Sequence, residues 1–230
     1  QNPDLVVDSR GRIHVVYSDV GSADLRYIRR EIGGRWTRPM VIDSEGDVGA
    51  HPRIEVDALD QPHIVYTMTL APDSSSGLRY AVGVAEAQQG ADFQLQNLSF
   101  RPLTPTQDNE TTVHGRRPCI ELGRDGLTRI GFYDEVETWF YLAVGDINGF
   151  QIQRMEGAFQ GGPPTPAYAD FNNARLSDFC SILNIGAETL VVFPNADTGD
   201  LMSYRGTLTG PGLYQVVDHG SRGGRSFVGS

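Results

Sequence analysis

The chain repeats itself, and this repeat restricts the folds open to it more than any other feature. Residues 2–17 read NPDLVVDSRGRIHVVY, and residues 51–66 read HPRIEVDALDQPHIVY, which is nearly a copy. Two further copies, at residues 117–133 and 178–193, read RPCIELGRDGLTRIGFY and DFCSILNIGAETLVVF. Each copy holds a short apolar strand, a turn rich in Asp, Gly or Asn, and a second apolar strand that ends in an aromatic residue. Such a unit predicts a β-hairpin, so the chain carries four of them.

Each hairpin is followed by two more segments of strand character, such as DLRYIRR and RWTRPMVID in the first unit. Four antiparallel strands per unit, repeated without helical periodicity, predict a β-propeller. We expect one all-β domain over residues 1–230, with blades at about 2–50, 51–115, 116–174 and 175–230. The sequence leaves open whether these four blades close on themselves or belong to a larger ring. A β-sandwich is the alternative fold.

The first unit, PDLVVDSRGRIHVVYSD with DLRYIRR and RWTRPMVID, resembles the blades of the sialidase-like propeller superfamily. The resemblance extends over nearly the whole chain and is strongest in the first two units. Blades of true sialidases carry an Asp-box, Ser-x-Asp-x-Gly-x-x-Trp, and no such string occurs here. The resemblance therefore implies the propeller architecture, and the missing Asp-box argues against sialidase activity.

Charge and hydropathy exclude several classes of partner. The net charge of −10 repels nucleic acid and anionic membrane surfaces. No apolar run approaches the length of a membrane span, so no membrane insertion is expected. Asn97 and Asn109 lie in glycosylation acceptor patterns, and with the long polar loops they favour a secreted or cell-surface protein.

Two residue types recur with the repeat, and the repeat suggests structural roles for them. His14 and His63 each precede the aromatic residue by three positions, and we interpret both as structural histidines. Cys119 and Cys180 align on neighbouring inner strands without the spacing of a zinc or redox motif. Adjacent blades usually leave more room than a disulfide spans. Two free buried thiols are therefore the expectation, and a disulfide is the alternative.

Polar residues are predicted to gather on one face of the propeller. Loops that enter each first strand share that face with the loops that join second and third strands, and both long insertions belong to it. Arginines from successive blades could hold a carboxylate or sulfate, although they could instead pair with nearby acids. The candidate ligand-binding residues are His51, Arg53, Arg117, Arg175, Asp19, Asp134 and Tyr168.

These features together favour an extracellular binding propeller without catalytic activity, whose ligand is a carbohydrate or a protein surface. The alternative is a sialidase-like glycosidase or a polysaccharide lyase, and no catalytic residue can be assigned from the sequence. A second alternative is a structural set of blades that is completed by further blades from the same or another chain. We expect no cofactor and no metal, with calcium at the turn aspartates as the one exception to consider.

Overall fold

The computed structural model describes residues 2–70, 75–102, 115–134, 139–155, 157–159, 180–195, 199–207 and 210–218. Within these ranges the chain forms β-strands and one 3-10 turn, Gly90–Asp92, and no helix there is long and apolar enough to span a membrane. The strands are β1 (Asp4–Val7), β2 (Ile13–Asp19), β3 (Asp24–Arg30), β4 (Met40–Asp43), β5 (Asp47–Val56), β6 (Pro62–Leu70), β7 (Ser75–Gly83), β8 (Phe93–Pro102), β9 (Arg116–Leu122), β10 (Thr128–Asp134), β11 (Trp139–Asp146), β12 (Gly149–Arg154), β13 (Gly157–Phe159), β14 (Ser181–Ile185), β15 (Glu188–Pro194), β16 (Leu201–Gly206) and β17 (Gly212–Asp218).

The strands form four antiparallel sheets that follow one another along the chain. Strands β1–β4, β5–β8, β9–β12 and β14–β17 each pair in sequence order, and we call these sheets blades 1 to 4. Strands β1, β5, β9 and β14 contact one another in turn, so they are the inner strands of the blades. The prediction of an all-β propeller with four four-stranded blades in this chain is confirmed. Blade 4 carries one addition, because β13 pairs parallel with its outer strand β17.

The hydrophobic core lies between the blades. One buried cluster joins blades 1 and 2 through residues such as Leu25 and Tyr66, and a second joins blades 2 and 3 through residues such as Leu78 and Ile130. A third cluster joins blades 3 and 4 and includes Leu142. Each strand alternates its side chains between the two faces of its sheet. A blade with a neighbour on each side must therefore be apolar on both faces. Burial between successive sheets therefore fixes their order.

The repeated histidines link a turn to a tyrosine within the same blade. In blade 1 the His14 ring lies 3.0 Å from the Asp8 carboxylate and 2.6 Å from the Tyr27 hydroxyl. In blade 2 the ring of His63 lies 2.5 Å from the hydroxyl of Tyr80 and 3.5 Å from the Asp57 carboxylate. Burial lowers the pKa of both imidazoles. The same three residue types thus brace both blades.

Blade 1 adds a buried cluster of charges to this arrangement. The Arg12 guanidinium donates a hydrogen bond of 2.5 Å to Asp8 and another of 2.6 Å to Glu86 of blade 2. Arg29, which is also buried, donates to the same Glu86. Hydrogen bonds from His14 and Arg12 help to hold the pKa of Asp8 well below its usual range, although burial opposes them. The cluster therefore joins the turn of blade 1 to its neighbour.

A disulfide joins Cys119 to Cys180, with 5.5 Å between their Cα atoms. The expectation of two free thiols is therefore wrong. Cys119 lies on the inner strand of blade 3, and Cys180 directly precedes the inner strand of blade 4. Inner strands approach one another more closely than the outer strands, which is why adjacent blades can meet the geometry of a disulfide here.

Replacement of Asp8 should destabilise the fold much more than replacement of its counterpart Asp57. Each carboxylate accepts hydrogen bonds from two backbone N–H groups of its turn, but only Asp8 also neutralises a buried arginine. We expect Asp8→Ala to cost about 3–5 kcal/mol, because it leaves Arg12 with a partly uncompensated buried charge. Asp57→Ala should cost about 1–2 kcal/mol. Urea unfolding of both variants measures the difference, and equal losses would contradict the role given to the cluster.

Reduction of the disulfide should destabilise the native chain and leave a variant without cysteines unaffected. The bridge closes a loop across 61 residues, for which chain entropy predicts about 4 kcal/mol of stabilisation. Urea unfolding with and without dithiothreitol measures the effect in the native chain. The double variant Cys119→Ser, Cys180→Ser is the control, and its transition should not respond to the reductant. A native transition that is also unresponsive would show that the bridge adds no stability.

Candidate functional site

The entrance to the inner strands is marked by backbone in an unusual conformation. Asn2, His51 and Arg117 each directly precede the proline that opens their copy of the repeat, and their φ angles are 52°, 50° and 56°. Residues other than glycine rarely adopt this left-handed region, and such strain concentrates at functional sites. The same conformation at the same place in three successive blades therefore identifies a ring of polar side chains. We call Asn2, His51 and Arg117 the mouth residues.

Local irregularities in the strands accompany two of these positions. The register of β5 with β6 shifts between Ala50 and Arg53, on either side of His51. The register of β9 with β10 shifts at the position of Arg117. A bulge of this kind redirects side chains and is common beside active sites. The repeat thus bends the inner strand at the same point in blades 2 and 3.

A cavity of about 250 Å³ opens between blades 1 and 2 at this entrance. Its lining includes Asn2 and His51 from the mouth, together with Asp19 and Asp47. The carboxylate of Asp19 also lies 2.8 Å from the guanidinium of Arg26. The structure therefore brings two of the predicted ligand-binding residues, Asp19 and His51, into one polar cavity.

The other predicted residues are distributed differently. Arg117 is a mouth residue of blade 3, whereas Arg53 lies two positions after His51 within β5 and pairs with Val65. Asp134 is buried at the end of β10. Arg175 and Tyr168 lie outside the described residues, as do most of the two long insertions. The described residues accordingly give no support to an arginine clamp, which stays a prediction.

Three carboxylates on successive inner strands were missed by the sequence interpretation. They are Asp4 on β1, Glu55 on β5 and Glu121 on β9. The carboxylate of Asp4 accepts a hydrogen bond of 3.0 Å from the Ile54 backbone, which brings it against the inner strand of blade 2. Strand pairing places Glu55 on the opposite side of β5 from Ile54, towards blade 3. The sequence could have revealed two of them. Glu55 and Glu121 each follow an isoleucine at the same position of the repeat, and a glutamate that recurs in an otherwise apolar strand is unusual.

The pKa of Glu55 is strongly raised. Burial is the largest cause, and the negative charges of Glu121 and Asp4 add to it. Together they raise the pKa of Glu55 to about 7. No hydrogen bond to its carboxyl group is found in the described part of the chain. Burial also raises the pKa of Glu121, although the Asn184 backbone and Arg129 oppose the shift. Near neutral pH, Glu55 can therefore hold a proton close to other carboxylates.

Glu55 also lies beside the buried polar chain of blade 2. It is the cross-strand partner of His63, whose ring contacts the hydroxyl of Tyr80. The Tyr80 hydroxyl in turn lies 2.9 Å from the hydroxyl of Thr128 in blade 3. Because Tyr80 and Thr128 are buried, this chain fixes the backbone that carries Glu55. Among the described residues, no group of three or more His, Cys, Asp or Glu side chains could hold a metal ion.

Comparison with known proteins identifies the fold. No family model matches the sequence, and no curated protein matches it. Among solved structures, a GH43_1 enzyme from Xanthomonas citri aligns at a TM-score of 0.58 and 14% identity, over 94% of this chain and 74% of that one. The alpha-L-arabinanase of Penicillium chrysogenum aligns at a TM-score of 0.61 and 12% identity, over 96% and 68%. The GH93 alpha-L-arabinofuranosidase of Fusarium graminearum aligns at a TM-score of 0.61 and 9% identity, over 94% and 66%.

These structures correct one expectation and leave another as a prediction. The expectation leaned towards a binding protein without catalytic activity, and it is contradicted, because the three similar structures named above are glycoside hydrolases. The propeller architecture implied by the resemblance to sialidase-like proteins is confirmed, whereas membership of that superfamily stays a prediction. At identities this low, the likeness places the chain among the β-propellers by fold alone.

Replacement of Glu55 by glutamine should stabilise the fold at alkaline pH and not at acidic pH. The pKa of Glu55 is about 7 in the folded chain, whereas the ordinary pKa of a glutamate, which applies to the unfolded chain, is 4.5. Above pH 7 the folded chain must hold an ionised carboxylate in a half-buried place, and the neutral amide removes that cost. Thermal unfolding at pH 8.5 and pH 4.5 measures the effect. A gain of equal size at both values would show that ionisation is not its cause.

Proposed function

We propose that the protein is a glycosidase that cleaves a glycan at the channel formed by its inner strands. The observation that carries this proposal is Glu55, a half-buried carboxyl group whose pKa is raised to about 7 between other carboxylates. Glycoside hydrolysis generally requires one protonated acid and one ionised carboxylate on either side of the scissile bond. Burial and like charge are the means by which proteins keep such an acid protonated at neutral pH.

The roles of the carboxylates follow from their surroundings. Glu55 donates its proton to the glycosidic oxygen as the bond to the sugar breaks. Asp4, on the preceding inner strand, supplies the second carboxylate and stabilises the positive charge that develops on the sugar ring. A water molecule then adds to the anomeric carbon and returns a proton to Glu55. Glu121, on the following strand, contributes negative charge that favours the protonated form of Glu55. Glu55 is thus the general acid, Asp4 is the second carboxylate, and Glu121 helps to keep Glu55 protonated.

The mouth provides the polar contacts that a sugar needs. Asn2, His51 and Arg117 offer hydrogen-bond donors, and Asp19 and Asp47 offer acceptors beside them. Sugar hydroxyl groups both donate and accept, so a ring with both kinds of partner suits them. We propose that the mouth orients the glycan while the reacting bond lies deeper along the inner strands.

The similar structures suggest the first glycans to test. One was solved with arabinobiose and another with xylotriose, and both ligands are chains of pentose units. The shared fold supports a carbohydrate substrate but does not carry residue roles. Arabinobiose and xylotriose are therefore starting substrates, and the sugar specificity depends on the residues of this chain.

Glu55→Gln should lower kcat by about 10²–10⁴-fold, because the amide cannot donate the required proton. Hydrolysis of arabinobiose and xylotriose, followed by chromatography of the released sugar, measures this loss. Glu45→Gln is the matched control, because Glu45 is an exposed glutamate that pairs with Arg79 and does not line the mouth cavity. It should retain native activity. In the native enzyme, kcat/KM should fall as pH rises above 7, where Glu55 loses its proton.

Two outcomes would contradict the proposal. A Glu55→Gln variant with native activity on a substrate that the native chain cleaves would remove the acid role. A native chain that cleaves neither these disaccharide and trisaccharide probes nor any member of a broad glycan panel would remove the glycosidase function. Circular dichroism of each variant establishes that the comparison is made between folded proteins.

A further inference from the structure

A second cavity, of about 630 Å³, lies at the end of the inner strands that is remote from the mouth. Its lining comes from the ends of β9 and β14 and from the turns that follow them, and includes Glu121, Leu122, Arg124, Asp125, Leu183 and Asn184. Leu122 lies about 15 Å along β9 from the mouth residue Arg117. Sites that bind small molecules commonly have volumes of about 300–1,000 Å³. Among the described residues the cavity shares no lining residue with the mouth cavity, and we call it the far site.

Asn184 presents a hydrogen-bond acceptor at the far site for which the protein supplies no donor. Its side-chain oxygen is buried and finds no partner in the described part of the chain. Its backbone N–H donates to the carboxyl group of Glu121, which holds the residue between blades 3 and 4. A buried acceptor without a donor costs free energy in the folded chain, and such atoms are rare in native proteins. A ligand with a hydroxyl or N–H group would supply the missing donor.

The charges at the far site favour an anion. The carboxylate of Asp125 is already held by Arg129, which donates to its two oxygens at 3.0 Å and 2.6 Å. Burial raises the pKa of Glu121, so this carboxyl group repels an anion less than an exposed glutamate would. The guanidinium of Arg124 has no ion pair or hydrogen bond among the described residues. Arg124 is therefore available to bind a carboxylate through two parallel hydrogen bonds.

We propose that the far site binds a sugar that carries a carboxylate, that is, a hexuronate. The guanidinium of Arg124 binds the carboxylate, and a hydroxyl group of the sugar donates to the side-chain oxygen of Asn184. Leu122 and Leu183, the latter 50% exposed, offer apolar surface to the C–H groups of the sugar ring. The carboxylate and the donor follow from the residues of the cavity, whereas the choice of a sugar rests on the proposed function.

The first experiment compares glucuronate with glucose, which has a hydroxymethyl group in place of the carboxylate, by isothermal titration calorimetry. The native chain should bind glucuronate about 10–100-fold more tightly, because the charge-assisted hydrogen bonds form only with the carboxylate. Arg124→Gln should remove this preference. Arg38→Gln is the control, because Arg38 is an exposed arginine of blade 1 that does not line the far site. Equal affinity of the native chain for the two sugars, or no binding of glucuronate, would overturn the proposal.

The second experiment tests the acceptor of Asn184 through opposite effects on stability and binding. Asn184→Leu replaces the amide by an apolar group of similar volume, so it removes the buried acceptor. The Tm of the free chain should rise, whereas the affinity for glucuronate should fall by about 2–10-fold. A residue with only a structural role would not gain stability from this change. A lower Tm, or an unchanged affinity, would contradict the role given to Asn184.

Variants of the mouth and of the proposed acid separate the far site from the glycosidase function. Arg117→Gln and Glu55→Gln should both bind glucuronate as the native chain does. If Arg117→Gln loses glucuronate and Arg124→Gln retains it, the acid is held at the mouth and the proposal is overturned. Neither sugar contains a glycosidic bond between sugar units, so binding is measured without catalysis. A chain that binds glucuronate through Arg124 and cleaves no glycan would contradict the proposed function and support the far site.

Discussion

Burial of apolar side chains between successive sheets is the interaction on which the rest of this structure depends. A lone four-stranded sheet that is apolar on both faces cannot be stable in water, because each face exposes surface that favours burial. Stacking the sheets side by side solves this problem and directs every first strand towards a common axis. The mouth residues and the channel carboxylates owe their proximity to that packing, since they lie on strands that are distant in sequence and adjacent in space.

Buried charged groups between blades 1 and 2 pair with one another and with a tyrosine hydroxyl. Between blades 1 and 2, the guanidinium of Arg79 donates to Asp43 at 2.8 Å, and the hydroxyl of Tyr66 donates to the same carboxylate at 2.7 Å. All three side chains are buried. Such groups add little net stability over an apolar core, but a shift of one blade against the other would separate them at high cost. Apolar contacts alone are not directional, so these charge pairs help to fix the alignment of the two sheets.

The sequence predicted the architecture because the repeat records it directly. Alternating apolar residues and turn residues define each hairpin, and four equivalent hairpins leave few alternatives to a propeller. The site was less accessible, because it depends on which face of an inner strand each residue occupies. His51 and Asp19 were predicted from the loops to which they belong and line one cavity, whereas Glu55 was passed over as part of an apolar strand. The bridge between Cys119 and Cys180 was also missed, because the distance between inner strands is set by packing and not by any local pattern.

The left-handed backbone at the mouth has a consequence for how this surface can diversify. Asn2, His51 and Arg117 share this conformation directly before the proline of their repeats, and none of the three belongs to the interblade cores. Asparagine and glycine adopt this region most readily, so mutation at these positions can relieve strain while it alters the surface. Under the proposed function, recognition and folding are therefore carried by separate residues. A lineage of such proteins could exchange one ligand for another at the mouth without a compensating change in the blades.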